Sequence, residues 1–188
     1  MPKLIASLLT SLDGYFETTD RSIAWANLSD DFDDHSVSQL NDIGMLLFGR
    51  VTYEGMVSFW TTPEAAEGYP EVHRMMNARP KAVFSSTLES VDWAGTTLVS
   101  GDPVAAVAEL KQRDDIPGVL AVYGSSSLAA TLVDAGLVDE LQLVVSPTLL
   151  GDGHTVLGGL AGRVDLRLLR ATTFGSGNLL LCYRPLTG

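Results

Sequence analysis

The sequence predicts one α/β domain over residues 1–188, with a mixed, mostly parallel central sheet and antiparallel strands at its C-terminal end. Three observations carry this. Short apolar runs alternate with stretches of helical periodicity from the N-terminus to about residue 150. No Pro/Gly-rich linker, fixed-period repeat or low-complexity tract divides the chain. The tail then breaks the alternation, because "VDLRLLRATTF" and "NLLLCYRP" flank Gly175-Ser176-Gly177 and read as a hairpin.

The elements follow in order. "KLIASLLT" (3–10) is a buried-looking strand, and Asp13-Gly14 turns the chain out of it. "SDDFDDHSVSQLNDI" opens with acidic residues suited to the positive end of a helix. "MLLFG" (45–49) is a second strand, and "TYEGMVSFW" a helix opened by Thr52 and weakened by Gly55. Residues 61–80, "TTPEAAEGYP" and "VHRMMNARPK", read as a polar, proline-containing surface segment or a lid. "KAVFSS" (81–86), "TTLVS" (96–100), "GVLAVYG" (118–124) and "ELQLVVSPTLL" (140–150) are further strands. Between them, "GDPVAAVAELKQRDD" carries Asp102 as N-cap and Pro103 at the first helical position, with Val104, Val107 and Ala108 on one face. The helix after "VYGSSS" places Leu128, Leu132 and Ala135 on one stripe beside Ala129 and Val133, and stops at Gly136.

Composition excludes several functions. The formal charge of −11 argues against nucleic-acid or anionic-membrane partners, which need clustered Lys and Arg. A phosphorylated ligand would have to be held by local amides and a few placed cations. No apolar stretch approaches the ~20 residues of a membrane span, and the N-terminus lacks the small-residue cleavage site of a signal peptide. The expected location is therefore cytoplasmic. Cys182, the one cysteine, sits in a strand-like run and reads as a packing residue, so neither a disulfide nor a Cys-rich zinc site is expected. His35, His73 and His154 share no metal motif, although His154 in "GDGHTV" falls close to the expected pocket.

In open α/β sheets, ligands bind beyond the carboxyl ends of strands, where helices begin. Three stretches have that character. In "FGRVTYEG", Gly49 permits close approach, Arg50 adds a cation and Thr52 can cap the helix. In "VFSSTLES", Ser85, Ser86 and Thr87 end a strand and either bind phosphate or satisfy a turn. In "YGSSSLAATL", Gly124 is followed by Ser125, Ser126, Ser127 and Leu128, whose amides open a helix and favour negative charge. Neither G-x-G-x-x-G nor G-x-x-x-x-G-K-[ST] occurs at these sites, which removes the Rossmann and P-loop readings.

Taken in order, "IASLLTSLDGYF", "LLFGRVTYE", "KAVFSSTL" and "VYGSSSLAATLVDAGLVDELQLVVSPTLLGDG" resemble the dihydrofolate-reductase-like superfamily, in particular the reductase domain of bacterial riboflavin biosynthesis and its stand-alone relatives. The resemblance spans nearly the whole chain. It implies a three-layer α/β/α fold with an eight-stranded mixed sheet. It also implies NADPH as cofactor, hydride transfer to a small heterocyclic, carbonyl or imine substrate, and a homodimer. It places Ala6 and Ser7 near the nicotinamide. Gly49, Arg50 and Thr52 would hold phosphates, with Arg50 and Ser86 favouring the 2′-phosphate of NADP over NAD, Ser85 counted beside them as cofactor-binding, and Gly124 through Leu128 cradling the pyrophosphate. Asp13 matches an acidic position near the substrate and is the candidate proton relay, with water as its alternative.

Two departures from the family pattern matter. Ser125 and Ser126 stand where relatives often carry glycine, which a serine tolerates if neither position needs positive φ. The acidic cluster Asp30, Asp31, Asp33 and Asp34 looks like a solvated helix start rather than a single buried acid. Trp25, Trp60 and Tyr69 are aromatic residues that could stack on a planar heterocycle. The zinc-deaminase signature that accompanies this reductase in bifunctional riboflavin enzymes is absent. The alternatives are a non-catalytic nucleotide-binding or dimeric scaffold of the same fold, or use of a flavin or deazaflavin.

Overall fold

A computed structural model describes residues 1–186. Ten strands and six helices follow in order: β1 (Leu4–Ser11), β2 (Tyr15–Glu17), α1 (Asp30–Asp42), β3 (Ile43–Gly49), α2 (Arg50–Trp60), α3 (Pro63–Gly68), α4 (Pro70–Ala78), β4 (Lys81–Phe84), β5 (Thr96–Val99), α5 (Pro103–Leu110), β6 (Val119–Tyr123), α6 (Ser126–Asp134), β7 (Glu140–Ser146), β8 (His154–Thr155), β9 (Asp165–Thr173) and β10 (Leu179–Leu186). Eight strands form one sheet in the order β5-β4-β3-β6-β1-β7-β10-β9. Neighbours from β5 to β7 pair parallel, and β10 pairs antiparallel with both β7 and β9. This is the mixed, mostly parallel sheet expected, with the antiparallel hairpin at its C-terminal edge. β2 and β8 form a separate two-stranded ribbon that the sequence reading did not anticipate.

Alternation along the central strands divides the core into two layers. Leu4, Ala6, Leu8, Leu47 and Val122 face α5 and α6, where they meet Val107, Leu128, Leu132 and Val133. Ile5, Leu46, Phe48 and Val83 face α1, α2 and α4, where they meet Leu40, Tyr53, Val72, Met75 and Met76. Helices thus cover both faces, as the three-layer expectation requires. No helix of the structure is long and apolar enough to cross a membrane, among the described residues.

Local signals explain most boundaries. Asp102 caps α5 by accepting the Val104 and Ala105 amides, with Pro103 behind it. α6 ends in a Schellman motif: the Gly136 N–H donates to Val133 O and the Leu137 N–H to Leu132 O, with Gly136 at φ +68. Ala135 is exposed, so the buried stripe of α6 ends at Val133. β7 stops at Ser146 rather than running to Leu150, because Pro147 brings no N–H to the ladder. The β9–β10 hairpin turns where the Phe174 N–H donates to Asn178 O, with Gly177 at φ +91.

The segment 61–80 corrects its reading as surface loop or lid. It folds as α3 and α4, each with proline in its first turn, and Thr62 caps α3 by accepting from the Ala65 amide. Val72, Met75 and Met76 are buried at i, i+3 and i+4, a helical period that the prolines and polar residues obscured. Trp60 and Tyr69 pack edge-on with Phe59 at this helical junction. Cys182 is buried as expected, and that burial pushes its thiol pKa up.

Candidate functional site

The sheet order places the site. β3 and β6 are adjacent and parallel, with Leu47 opposite Val122. The chain leaves β3 into α2 on one face and leaves β6 into α6 on the other. The two helices therefore diverge around a crevice at the carboxyl ends of the strands, the switch-point position where open α/β sheets bind ligands.

A groove of about 1010 Å³ opens at that crevice. Its floor is made by three stretches singled out from the sequence: Gly49, Arg50, Val51 and Thr52, then Ser85, Ser86 and Thr87, then Ser125 to Leu128. Positions 76 residues apart in sequence, Gly49 and Ser125, are joined by a hydrogen bond of 2.5 Å from the Gly49 N–H to Ser125 Oγ.

Both helix starts are free of side-chain caps. Gly49 is the N-cap of α2 and Ser125 that of α6, and neither helix receives a side-chain cap bond. This corrects the expectation that Thr52 caps α2. The helix begins two residues earlier, and the Thr52 hydroxyl instead accepts the Ser125 N–H at 2.9 Å. The first-turn amides of two helices thus border one groove, where their partial positive charge favours an anion. α5 also starts on the groove, where Gly101 and Pro103 line it, but is capped by Asp102; away from the groove, α3 is capped by Thr62, while α1 and α4 receive no side-chain cap bond.

Each candidate residue has a definite environment. Arg50 lines the groove, half exposed, and binds Glu54 at 2.9 and 3.1 Å. Ser85 accepts the Thr87 and Leu88 amides through its hydroxyl, so it satisfies a turn, while Ser86 stands exposed beside it on the groove wall. Ser126 Oγ accepts the Leu157 N–H at 2.7 Å and so ties the following loop to the start of α6. Ser127 is exposed on the groove, and Leu128 lines it while being mostly buried in the core.

Gly124 sits at φ +69, and a Cβ there would lie 2.9 Å from Thr52 Cγ2. Glycine is required on both counts. Ser125 also adopts positive φ, +53, contrary to the condition under which a serine is easily tolerated there.

Ala6 and Ser7 are not among the residues lining the groove. Ala6 is fully buried in the α5/α6 layer. Ser7 faces the other layer, where Gln39 Nε2 donates to its hydroxyl at 3.4 Å, and its carbonyl accepts the Gly124 N–H at 3.1 Å. Its link to the groove is through backbone. Tyr123, its register partner, donates its hydroxyl to Gln39, and burial raises its pKa above the ordinary value.

Asp13 also lies outside the groove lining. Its carboxylate accepts from Ser11 Oγ at 2.6 Å and from the Leu150 and Gly151 amides at 3.1 and 2.8 Å. These bonds, led by that from Ser11, lower its pKa to about 2. Asp13 therefore clasps the turn after β1 to the loop after β7 and remains ionised at neutral pH. In this geometry the carboxylate already holds three donors and has no proton of its own to give at neutral pH.

The second wall was largely missed. Phe16 and Glu17 from β2, Arg21 after it, and Gly153, His154 and Thr155 around β8 line the groove. His154 Nδ1 lies 3.0 Å from Glu17 Oε1. Of these, the sequence reading placed only His154 near a pocket. A three-residue and a two-residue strand are too short to show periodicity, and the glycines at 151 and 153 were the only local signal. Trp25, Trp60 and Tyr69 do not line it.

Comparison with known proteins agrees with this architecture. A model of the RibD C-terminal domain matches residues 2–180. The uncharacterized protein YyaP of Bacillus subtilis (strain 168) is 28% identical over 184 residues, covering 96% of this chain and 94% of its own. Among solved structures, Acinetobacter baumannii RibD superposes with a TM-score of 0.72 at 14% identity, over 100% of this chain and 59% of that longer one. Dihydrofolate reductase from Enterococcus faecalis, solved with NADP(H), superposes with a TM-score of 0.61 at 16% identity, over 97% and 96% of the two chains. The fold is thus that of dihydrofolate reductase, and with the family model covering all of the sheet but most of its last strand, the chain belongs to the RibD C-terminal domain family.

Proposed function

We propose that the protein is an NADPH-dependent reductase that passes a hydride to a small heterocyclic, carbonyl or imine substrate. One observation carries the reading: two uncapped helix N-termini meet on one groove at the sheet's switch point, beside an arginine. That donor set suits a pyrophosphate. Amides of Arg50, Val51 and Ser126 to Leu128 would take the phosphates. Arg50 and Ser86 would take the 2′-phosphate, with Ser85 holding the turn that presents Ser86. The groove's volume lies at the upper end for small-molecule sites, as an extended dinucleotide requires. The nicotinamide, when bound, supplies the hydride, and the chain's own part is to bind, orient and exclude water. With Asp13 ionised in its clasp, water is the proton source we favour.

Titration calorimetry on wild type and Arg50→Ala tests this. Micromolar NADPH binding, much weaker NADH binding, and a loss of about tenfold for NADPH alone in the variant are expected, the size of a charge-assisted phosphate contact. Failure of the wild type to bind either nucleotide would sink the reading.

The same reading includes a homodimer. All nine residues of the edge strand β9 are exposed, with Leu166, Leu168 and Leu169 at 41, 53 and 40%. A long edge strand with apolar side chains is ordinarily covered, and we take a second copy as its cover. Sedimentation equilibrium should give a dimer for wild type and a monomer for Leu168→Lys. A monomeric wild type would refute the assignment.

A further inference from the structure

Ser125 differs from an ordinary N-cap serine in both backbone and side chain. An N-cap serine has extended backbone and accepts an amide of its own helix. Ser125 lies in the left-handed region, at φ +53 and ψ +67, and its hydroxyl reaches across to α2. There it accepts the Gly49 N–H at 2.5 Å and donates to Thr52 Oγ1 at 3.0 Å, while its own N–H donates to the same Thr52 oxygen. A left-handed conformation is costly for any residue with a Cβ. Here the cost is offset by three bonds that staple the start of α6 to the start of α2.

The staple has a consequence for the groove. The amides of Ser126, Ser127 and Leu128 stay uncapped, but the Gly49 N–H is already taken by a neutral oxygen. The hydroxyl is packed tightly over Gly49: a Cβ at Gly49 would fall 2.6 Å from Ser125 Oγ. Ser125 as a whole is 7% exposed, so its side chain shields that amide from the groove. Building on the dinucleotide reading above, we infer that the Ser125 hydroxyl occupies a position of a phosphate oxygen in the cradle. It competes with the ligand's pyrophosphate for the Gly49 N–H and so limits how tightly the groove holds NADPH. Ser125 is a residue that weakens affinity, in a loop whose other members create it.

Calorimetric titration of NADPH into wild type, Ser125→Gly and Ser125→Ala, each with a thermal melt, tests this. Both variants release the Gly49 N–H, and one recovered amide–phosphate bond corresponds to about tenfold tighter binding. Ser125→Ala keeps the Cβ in left-handed backbone and loses two staple bonds. It should melt below wild type without ligand and show the larger upward shift with NADPH. Ser125→Gly also removes the backbone cost and carries the test if the alanine variant does not fold. Wild-type binding with equal or weaker binding in the variants would overturn the assignment of Ser125 alone, because the hydroxyl would then be serving the ligand. Folded proteins with no NADPH binding in any of the three would overturn the dinucleotide reading and this inference with it.

Discussion

Gly124→Val is expected to lower NADPH affinity at least about a hundredfold and to cost about 3 kcal/mol of stability. At φ +69 a β-branched residue is a backbone outlier. Its Cβ would meet Thr52 Cγ2 at 2.9 Å and Phe16 Cζ at 3.7 Å. Thr52 can retreat only by breaking the bonds its hydroxyl makes with the Ser125 N–H and Oγ–H. The two helix starts would then separate, and their amides would no longer address one anion. Calorimetry and urea unfolding on the same preparations give both numbers. A folded variant that binds NADPH as wild type does would show that the β6–α6 loop is not part of the site.

The largest effect on stability alone is expected at Lys81, remote from the groove. Lys81 opens β4 and is fully buried, with its ammonium 4.5 Å from the Trp93 ring centroid. It donates to Arg79 O at 2.6 Å, Ala94 O at 3.2 Å and Asn77 O at 3.3 Å. The first and last of these are carbonyls at the end of α4, which no helical amide follows. Lys81→Met keeps the bulk and deletes the donors, leaving three carbonyls to lose a partner. The expected loss is about 3 kcal/mol, or about 6–12 °C in melting temperature for a chain of this size.

Burial lowers the Lys81 pKa from an ordinary 10.5 to about 8. Between those values the unfolded chain holds a proton that the folded protein has released. The group's contribution to stability is therefore flat below pH 8 and rises with pH from about 8 to 10.5. Burial of Tyr123 and Cys182 raises their pKa values and acts in the opposite direction at high pH, but it is common to both proteins. The difference between wild type and Lys81→Met isolates the lysine and should grow across that window. A pH-independent difference would mean that Lys81 keeps its proton throughout.

Much of the fold and the floor of the groove was legible in the chain because the signals are local. Val119–Tyr123 is apolar because both faces of a central parallel strand are covered. Asp102-Pro103 and Gly136 mark helix ends by their own backbone chemistry. Gly49, Gly124 and the serines after it show where strands give way to helices, and for that reason the three floor stretches could be named.

Other features required the folded chain. α3 and α4 hid behind Pro63, Pro70 and a polar surface, since Val72, Met75 and Met76 are buried in a cluster with Leu40, Leu46, Phe48, Tyr53 and Val83, all from outside their own segment. The second wall of the groove depends on β2 pairing with β8, 137 residues later in sequence at Glu17 and His154. No local pattern encodes such a pairing. Asp13 looked the same in sequence as a catalytic carboxylate or a turn residue. Its clasp on the amides of Leu150 and Gly151 exists only in the folded chain. Ser125 is the clearest case. The sequence determined that a serine stands at the start of α6. Whether it opens the cradle or occupies it depends on its φ and on the distance to Gly49, which arise only when β3 and β6 lie side by side.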